Sequence, residues 1–191
     1  MKDIESIFNE RTCYKFLDKA VGKDLLLKIY ELMRLGPTSG NACPLRIVFV
    51  QSPAEKEKLY KALMESNIEK VKTAPVVAIF AYDMKFYEKM EKLYPTGKFL
   101  RDYFASASDQ TRETEGLRNS SLQAAYFMLI ARSMGLDCGP MSGFDQRVVN
   151  DNFFEGTSYK VNFICNFGYR DGENPYPRLP RLDFDEACKI V

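Results

Sequence analysis

The chain has 191 residues, 46% of them hydrophobic and 28% charged, which points to one domain that buries about 70% of its unfolded surface and excludes disorder as the default state. Its 27 Lys and Arg stand against 26 Asp and Glu, a net charge of +1, and this balance excludes a dominant nucleic-acid or anionic-membrane footprint. Histidine is absent, so Ser-His-Asp and Cys-His triads, HExxH zinc sites and facial iron triads cannot be built. In chain order, Ile4, Ile7 and Phe8 lie at helical spacing in a short opening segment. A second helix is expected over about 23–35 with Leu26, Ile29, Leu32 and Met33 inward, stopped by Gly36-Pro37. The loop Pro-Thr-Ser-Gly-Asn-Ala-Cys-Pro at 37–44 leads into residues 46–51, which read as a buried strand. Ser52-Pro53 opens a helix to about Met64, and the run Ala-Pro-Val-Val-Ala-Ile-Phe-Ala-Tyr at 74–82 is a second buried strand.

Residues 84–114 are aromatic and charged with poor periodicity, which suits a mobile helical excursion or lid. The clearest helix covers about 115–134, apolar nearly all round through Leu117, Ala124, Ala125, Met128 and Leu129, and ends at Gly135. A Gly/Pro turn at 137–145, a short helix at 146–153 and a third strand at 160–168 follow. The tail from 171 to 180 holds three prolines and is expected to wrap a surface, its own or a second subunit's. The elements describe a single α+β domain over residues 1–191 without repeats or linkers. Cysteines at 13, 43, 138, 165 and 188 contain no C-x-x-C pair and no zinc or iron–sulfur spacing, so no metal site and a reduced, cytoplasmic setting are expected. The first nine residues carry Asp3 and Glu5 and do not read as a signal peptide, and the longest apolar stretches fall short of the ~20 residues a bilayer needs.

Three cationic groups stand out: Arg11 with Lys15, Asn67 with Lys70, and Arg178 with Arg181. Singly, each reads as solvated surface charge. Together, each at the end of an element, they suit convergence on a phosphate and the polar edge of a flat ring. The loops at 37–41 and 139–143 can bring backbone close to a ligand, or serve as plain connections. Neither G-x-G-x-x-G, a Walker P-loop nor the G-x-S-x-G elbow occurs, which disfavours a Rossmann dinucleotide site and excludes a serine hydrolase. With no histidine, electron or proton chemistry falls to carboxylates, Lys, Tyr, Cys, water or a bound cofactor, and a cofactor is the favoured reading.

The runs Arg-Thr-Cys-Tyr-Lys-Phe at 11–16, Pro-Thr-Ser-Gly-Asn-Ala-Cys-Pro at 37–44, Asn-Ile-Glu-Lys at 67–70 and Gly-Leu-Asp-Cys-Gly-Pro-Met-Ser-Gly-Phe-Asp at 135–145 resemble, in order and spacing, the FMN-dependent nitroreductase family. Residues 118–126, the 139–145 turn and the Pro-Arg-Leu-Pro-Arg-Leu tail look most like its malonic semialdehyde reductase subgroup. The resemblance implies a three-layer α+β fold with a mainly antiparallel central sheet. It also implies an obligate homodimer with FMN at the interface, the 115–134 helix as its seam and the 171–191 arms exchanged. On that likeness Arg11, Thr12, Cys13 and Lys15 hold the phosphate and a ring edge, and Asn67 and Lys70 contact ring and ribityl oxygens. Cys13 departs from the commoner serine, and a thiol is a weak donor, so its backbone N–H is the expected contact. Pro37, Thr38, Ser39 and Asn41 reach the flavin from the partner, Pro140, Met141, Ser142 and Gly143 lie beside N5, and Arg178 and Arg181 complete the phosphate site.

The implied chemistry is ping-pong hydride transfer from NADH or NADPH through flavin N5 to a small electrophile, a semialdehyde, nitroaromatic or quinone, with no catalytic side chain. If the acceptor carries a carboxylate, Arg46 and Arg118 are its candidate cations. A flavin-binding protein of the same fold without turnover, and a structural interaction module, are the competing readings.

Overall fold

Residues 76–83 are buried at every position, although they belong to an antiparallel sheet. The reason is a layer of helices on each face. In the computed structural model, which describes residues 2–191, the elements in chain order are α1 (Ile4–Asn9), α2 (Lys23–Met33), β1 (Leu45–Val50), α3 (Pro53–Tyr60), α4 (Glu65–Thr73), β2 (Val76–Asp83), α5 (Met90–Leu93), α6 (Lys98–Ser106), α7 (Asp109–Ser133), β3 (Asp137–Met141), α8 (Gln146–Phe153), β4 (Tyr159–Gly168) and α9 (Phe184–Ala187). The sheet order is β1-β2-β4-β3 and every pairing is antiparallel.

Side chains alternate across β2. Val77, Ile79 and Ala81 face Leu59 of α3, Val71 of α4 and Val149 of α8. Val76, Ala78 and Phe80 face Ile29 and Met33 of α2 and Ala124, Phe127 and Ala131 of α7. A strand covered on both sides loses the polar alternation of a half-exposed one and reads as a continuous apolar run. The second face is an aromatic cluster: the ring of Phe127 lies 5.8 Å from those of Phe49 and Phe80 and 5.3 Å from that of Phe167.

Several boundaries differ from the sequence expectation. The helix expected to reach Met64 stops at Tyr60, and a separate helix, α4, begins at Glu65 with the Asn67-x-x-Lys70 pair on it. The 84–114 stretch is mostly helical, in pieces: a 3-10 turn at Phe86–Lys89, α5, α6, and the opening of α7, whose N-cap Ser108 accepts from the Thr111 N–H. α7 therefore starts at 109. Its polar first turns carry no apolar stripe to announce it. Residues 137–141, expected as part of a turn, form edge strand β3, where Pro140 is tolerated because an edge strand has one unpaired side. Leu32, expected inward, is 41% exposed, and of the opening apolar trio only Ile7 is buried. α7 ends as expected at Gly135, whose φ of 89° is the left-handed conformation of a helix stop. Among the described residues no helix is long and apolar enough to cross a membrane.

Truncating Phe127 to Ala leaves a cavity between sheet and helix. It should cost about 3–5 kcal/mol, read as a lowered denaturation midpoint in urea with an unchanged slope.

Candidate functional site

Sheet edge β3 does not stay open. The extended segment 11–17 lies along it and along the chain that follows β4: Cys13 donates its N–H to the Cys138 carbonyl at 2.8 Å, Leu17 to that of Tyr169 at 2.8 Å, and Asp171 returns one to Lys15 at 3.0 Å. The close approach requires Gly139, because a Cβ there would stand 2.6 Å from the Cys13 carbonyl oxygen. The mostly buried Arg170 secures the same segment, donating to the Arg11 carbonyl at 2.8 Å and to the Asp137 carboxylate at 2.9 Å. Asn174 completes the clamp, accepting from the Arg11 guanidinium at 3.1 Å and donating to the Thr12 carbonyl at 2.8 Å.

So held, Arg11, Thr12 and Tyr14 line a cleft of about 520 Å³ together with Phe8, Glu10, Arg132, Arg178, Leu179 and Arg181. The tail closes it: Arg178 donates to the Phe8 and Asn9 carbonyls at 3.2 and 2.8 Å, and Arg181 folds onto the Leu179 and Pro180 carbonyls. Four guanidiniums thus share one wall system with a single carboxylate, Glu10. That carboxyl is held below its usual range first by the hydrogen bond from Lys2, and further by the charge of Arg170 and Arg132.

Tyr14 joins this cleft to the other half of the site. Lys70 Nζ lies 5.0 Å from the Tyr14 ring centroid and donates to Asn67 Oδ1 at 3.0 Å. The buried Asn67 in turn donates to the Gly143 carbonyl at 3.0 Å, an acceptor it shares with the Met64 N–H. The bend Pro140, Met141, Ser142, Gly143 is thereby tied to the first turn of α4, and the bend leaves Pro140 and Ser142 exposed. Asn166 of β4 donates to the Lys70 carbonyl at 3.0 Å, while its Oδ1 is buried without a partner.

Two expected contacts take another form. Cys13 is buried and both its donors are committed, the N–H to Cys138 and the thiol to the Lys15 carbonyl at 3.1 Å, so the backbone contact expected of it is already used inside the protein. Lys15 turns to Asp171 at 2.6 Å and lines a separate cleft of about 210 Å³ rather than the arginine cleft. The expected cations for a substrate carboxylate are engaged as well: Arg46 pairs with the buried Asp83 at 2.7 Å, and Arg118 with Glu115.

Thr38, Ser39 and Asn41 are held elsewhere. α7 grips their loop through three polar side chains on one stripe: Asn119 accepts from the Ser39 N–H at 2.8 Å, Gln123 from the Leu45 N–H at 3.0 Å, and Tyr126 donates to the Pro37 carbonyl at 3.2 Å. These contacts hold a strained path, with Gly40, Asn41 and Cys43 at φ of 54°, 49° and 42°. Asn41 donates to the Leu93 carbonyl at 2.7 Å and lines a different cleft, with Arg34 and Lys92. Within one chain the structure brings Arg11, Arg178 and Arg181 to one cleft, connects Asn67, Lys70 and the 140–143 bend to it through Tyr14, and leaves Lys15 and the 37–41 loop apart. Sequence reasoning passed over Tyr14, Arg132, Asn119 and Gln123. A signal existed for the last two, since a buried helix face carrying Asn and Gln needs backbone partners.

The nitroreductase family profile matches residues 7–169. The chain belongs to the nitroreductase family. A protein of Ralstonia nicotianae, provisionally named NADH dehydrogenase/NAD(P)H nitroreductase, is 45% identical over 190 residues, 98% of this chain and 96% of the relative. A Bacillus subtilis structure described as a nitroreductase superposes with a TM-score of 0.86 at 27% identity, covering 97% of each chain. An Exiguobacterium sibiricum nitroreductase solved in complex with FMN shares the fold, with a TM-score of 0.85 at 22% identity over 100% of this chain and 98% of that one.

A methyl group at position 139 must push the Cys13 backbone off the sheet edge. Gly139→Ala should therefore cost about 1–3 kcal/mol in thermal unfolding. Burial pushes the Cys13 thiol up to about 11, against an ordinary 9.0. At pH 8 iodoacetamide should label the exposed Cys188 and leave Cys13 unmodified by mass spectrometry. The unfolded chain's thiol ionises first, so this contribution to stability is intact below about pH 9 and falls as pH rises above it.

Proposed function

We propose that this member of the nitroreductase family is an FMN-dependent oxidoreductase that takes electrons from NADH or NADPH and passes them to a small electrophile. The observation that carries the reading is the meeting of Arg11, Arg178 and Arg181, far apart in sequence, on one polar cleft. A phosphate monoester brings about two negative charges, and guanidinium forks match its oxygens. The FMN in the Exiguobacterium structure and the NAD(P)H in the Ralstonia relative's name support the same assignment.

Arg11, Thr12, Arg178 and Arg181 would hold the phosphate, with Asn174 and Arg170 fixing the Arg11 backbone and side chain. Asn67 and Lys70, joined to the cleft through Tyr14, would meet the ribityl chain and ring, and the 140–143 bend would lie along the ring's polar edge. FMN, when bound, supplies a two-electron centre at N5 that accepts hydride from the nicotinamide and delivers it onward in alternating half-reactions. The chain's residues then bind and orient; a histidine-free protein suffices for that.

The protein acts as a homodimer in this reading, with Pro37, Thr38, Ser39 and Asn41 reaching the other subunit's cofactor. In support, that loop stands apart from the arginine cleft of its own chain, and Leu27, Leu32 and Leu35 beside α2 and Leu117 and Leu122 on α7 leave apolar surface exposed. Five unpaired cysteines support a reduced, cytoplasmic setting. Of the acceptor classes, a nitroaromatic or quinone is favoured over malonic semialdehyde, because the two arginines considered for a carboxylate are engaged with Asp83 and Glu115.

Purified protein should be yellow, and anaerobic NADH or NADPH should bleach it within seconds; flavin that stays oxidised would refute turnover. Arg11→Glu should release FMN while circular dichroism stays unchanged, since one lost charge-assisted contact costs about 1.5–3 kcal/mol of binding and the reversed charge adds repulsion. Retained colour in that variant would overturn the phosphate assignment.

A further inference from the structure

Arg132 sits in the last turn of α7 and lines the same cleft as Arg11, Arg178 and Arg181. Its Nε is buried and without a hydrogen-bond partner, and its Nη1 makes only long approaches, 3.4 Å each, to the Ile7 and Glu10 carbonyls. A guanidinium carries five N–H donors, and one unmet donor with only two long contacts on the rest marks a side chain whose hydrogen-bonding capacity the protein itself leaves largely unused. The charges point the same way. Among the described residues none of the four arginines forms a salt bridge with a carboxylate, and the one acid of the cleft, Glu10, is drawn to Lys2 at 2.9 Å and Arg170 at 3.6 Å. Four unpaired cations around one cleft repel one another, and an anion placed among them relieves that repulsion.

We infer that Arg132 is a phosphate-binding residue: its guanidinium, on the lining of the cleft it shares with Arg11, Arg178 and Arg181, completes the anion subsite, so that the protein selects the phosphorylated flavin over riboflavin. The inference rests on the FMN reading above and adds to it a residue on a different element, the far end of the long helix. The competing role for Arg132 is structural, a tether from α7 to α1 through the Ile7 and Glu10 carbonyls. The two roles differ in what they do to a flavin that lacks the phosphate.

Full-length protein dialysed free of flavin is titrated separately with FMN and with riboflavin, following flavin fluorescence, for the natural sequence and for Arg132→Met and Arg132→Lys. The natural protein should bind FMN at least tenfold more tightly than riboflavin. Arg132→Met should weaken FMN by roughly ten- to a hundredfold and leave riboflavin within about twofold, as expected for loss of one charge-assisted contact to phosphate. Arg132→Lys keeps a cation at the Ile7 and Glu10 carbonyls and so preserves the tether that the Met variant loses. It should show a smaller loss confined to FMN. Equal weakening of both flavins would assign Arg132 to the tether and overturn the inference, as would unchanged FMN binding in both variants. A natural protein that fails to prefer FMN would instead overturn the phosphate reading itself, and this inference with it.

Discussion

The docking of residues 11–17 against the β3 edge is the contact on which the site depends. A backbone hydrogen bond from Cys13 to Cys138, made possible by a missing side chain at 139, sets the depth at which Arg11 and Thr12 enter the cleft. It also sets where Tyr14 meets Lys70. The segment has no regular structure of its own to hold it in place. Arg170 and Asn174 supply that stiffness by donating to the Arg11 and Thr12 carbonyls, and Asp137 of β3 fixes Arg170 by accepting from it.

Charge is distributed by the same logic. Elsewhere on the surface arginines are neutralised locally, as in Arg34 with Glu31 or Arg112 with Asp109, and the buried Asp83 is matched by Arg46. In the arginine cleft, among the described residues, Arg11, Arg132, Arg178 and Arg181 have no such partner. Burying or crowding unpaired charge is costly, so an arrangement of this kind persists where a ligand supplies the missing sign. The strained 38–43 loop follows a parallel rule: three left-handed positions are tolerated because Asn119, Gln123 and Tyr126 fix the backbone on either side.

Much of the fold was legible. Residues 45–50, 76–83 and 159–168 announce themselves by β-branched and aromatic runs, and Gly135 marks the end of α7 as a left-handed stop should. β3 was hidden because Gly139 and Pro140 carry turn chemistry, and their fitness for an edge strand depends on a neighbour more than a hundred residues earlier. The opening turns of α7 were hidden because Asp109 and Gln110 face solvent and carry no period. Arg11, Arg178 and Arg181, singled out from residue type and position at element ends, line one cleft, and Lys70, bonded to Asn67, reaches it through Tyr14. Cys13 and Lys15 were expected beside Arg11, at the two-residue spacing that lines one face of an extended strand, but the thiol turns to the Lys15 carbonyl and the ammonium to Asp171, partners that the local sequence does not reveal. Arg132 lay inside a helix read as apolar, where one cation looks like an accident of the surface.

The arginine cleft is closed by contacts between residues 8–9 and residue 178, nearly the full length of the chain apart. A polypeptide emerging from the ribosome therefore cannot close this cavity until residue 178 has been translated. Were the cleft to take a flavin phosphate, as proposed, loading would follow the assembly of the sheet and its two helical layers.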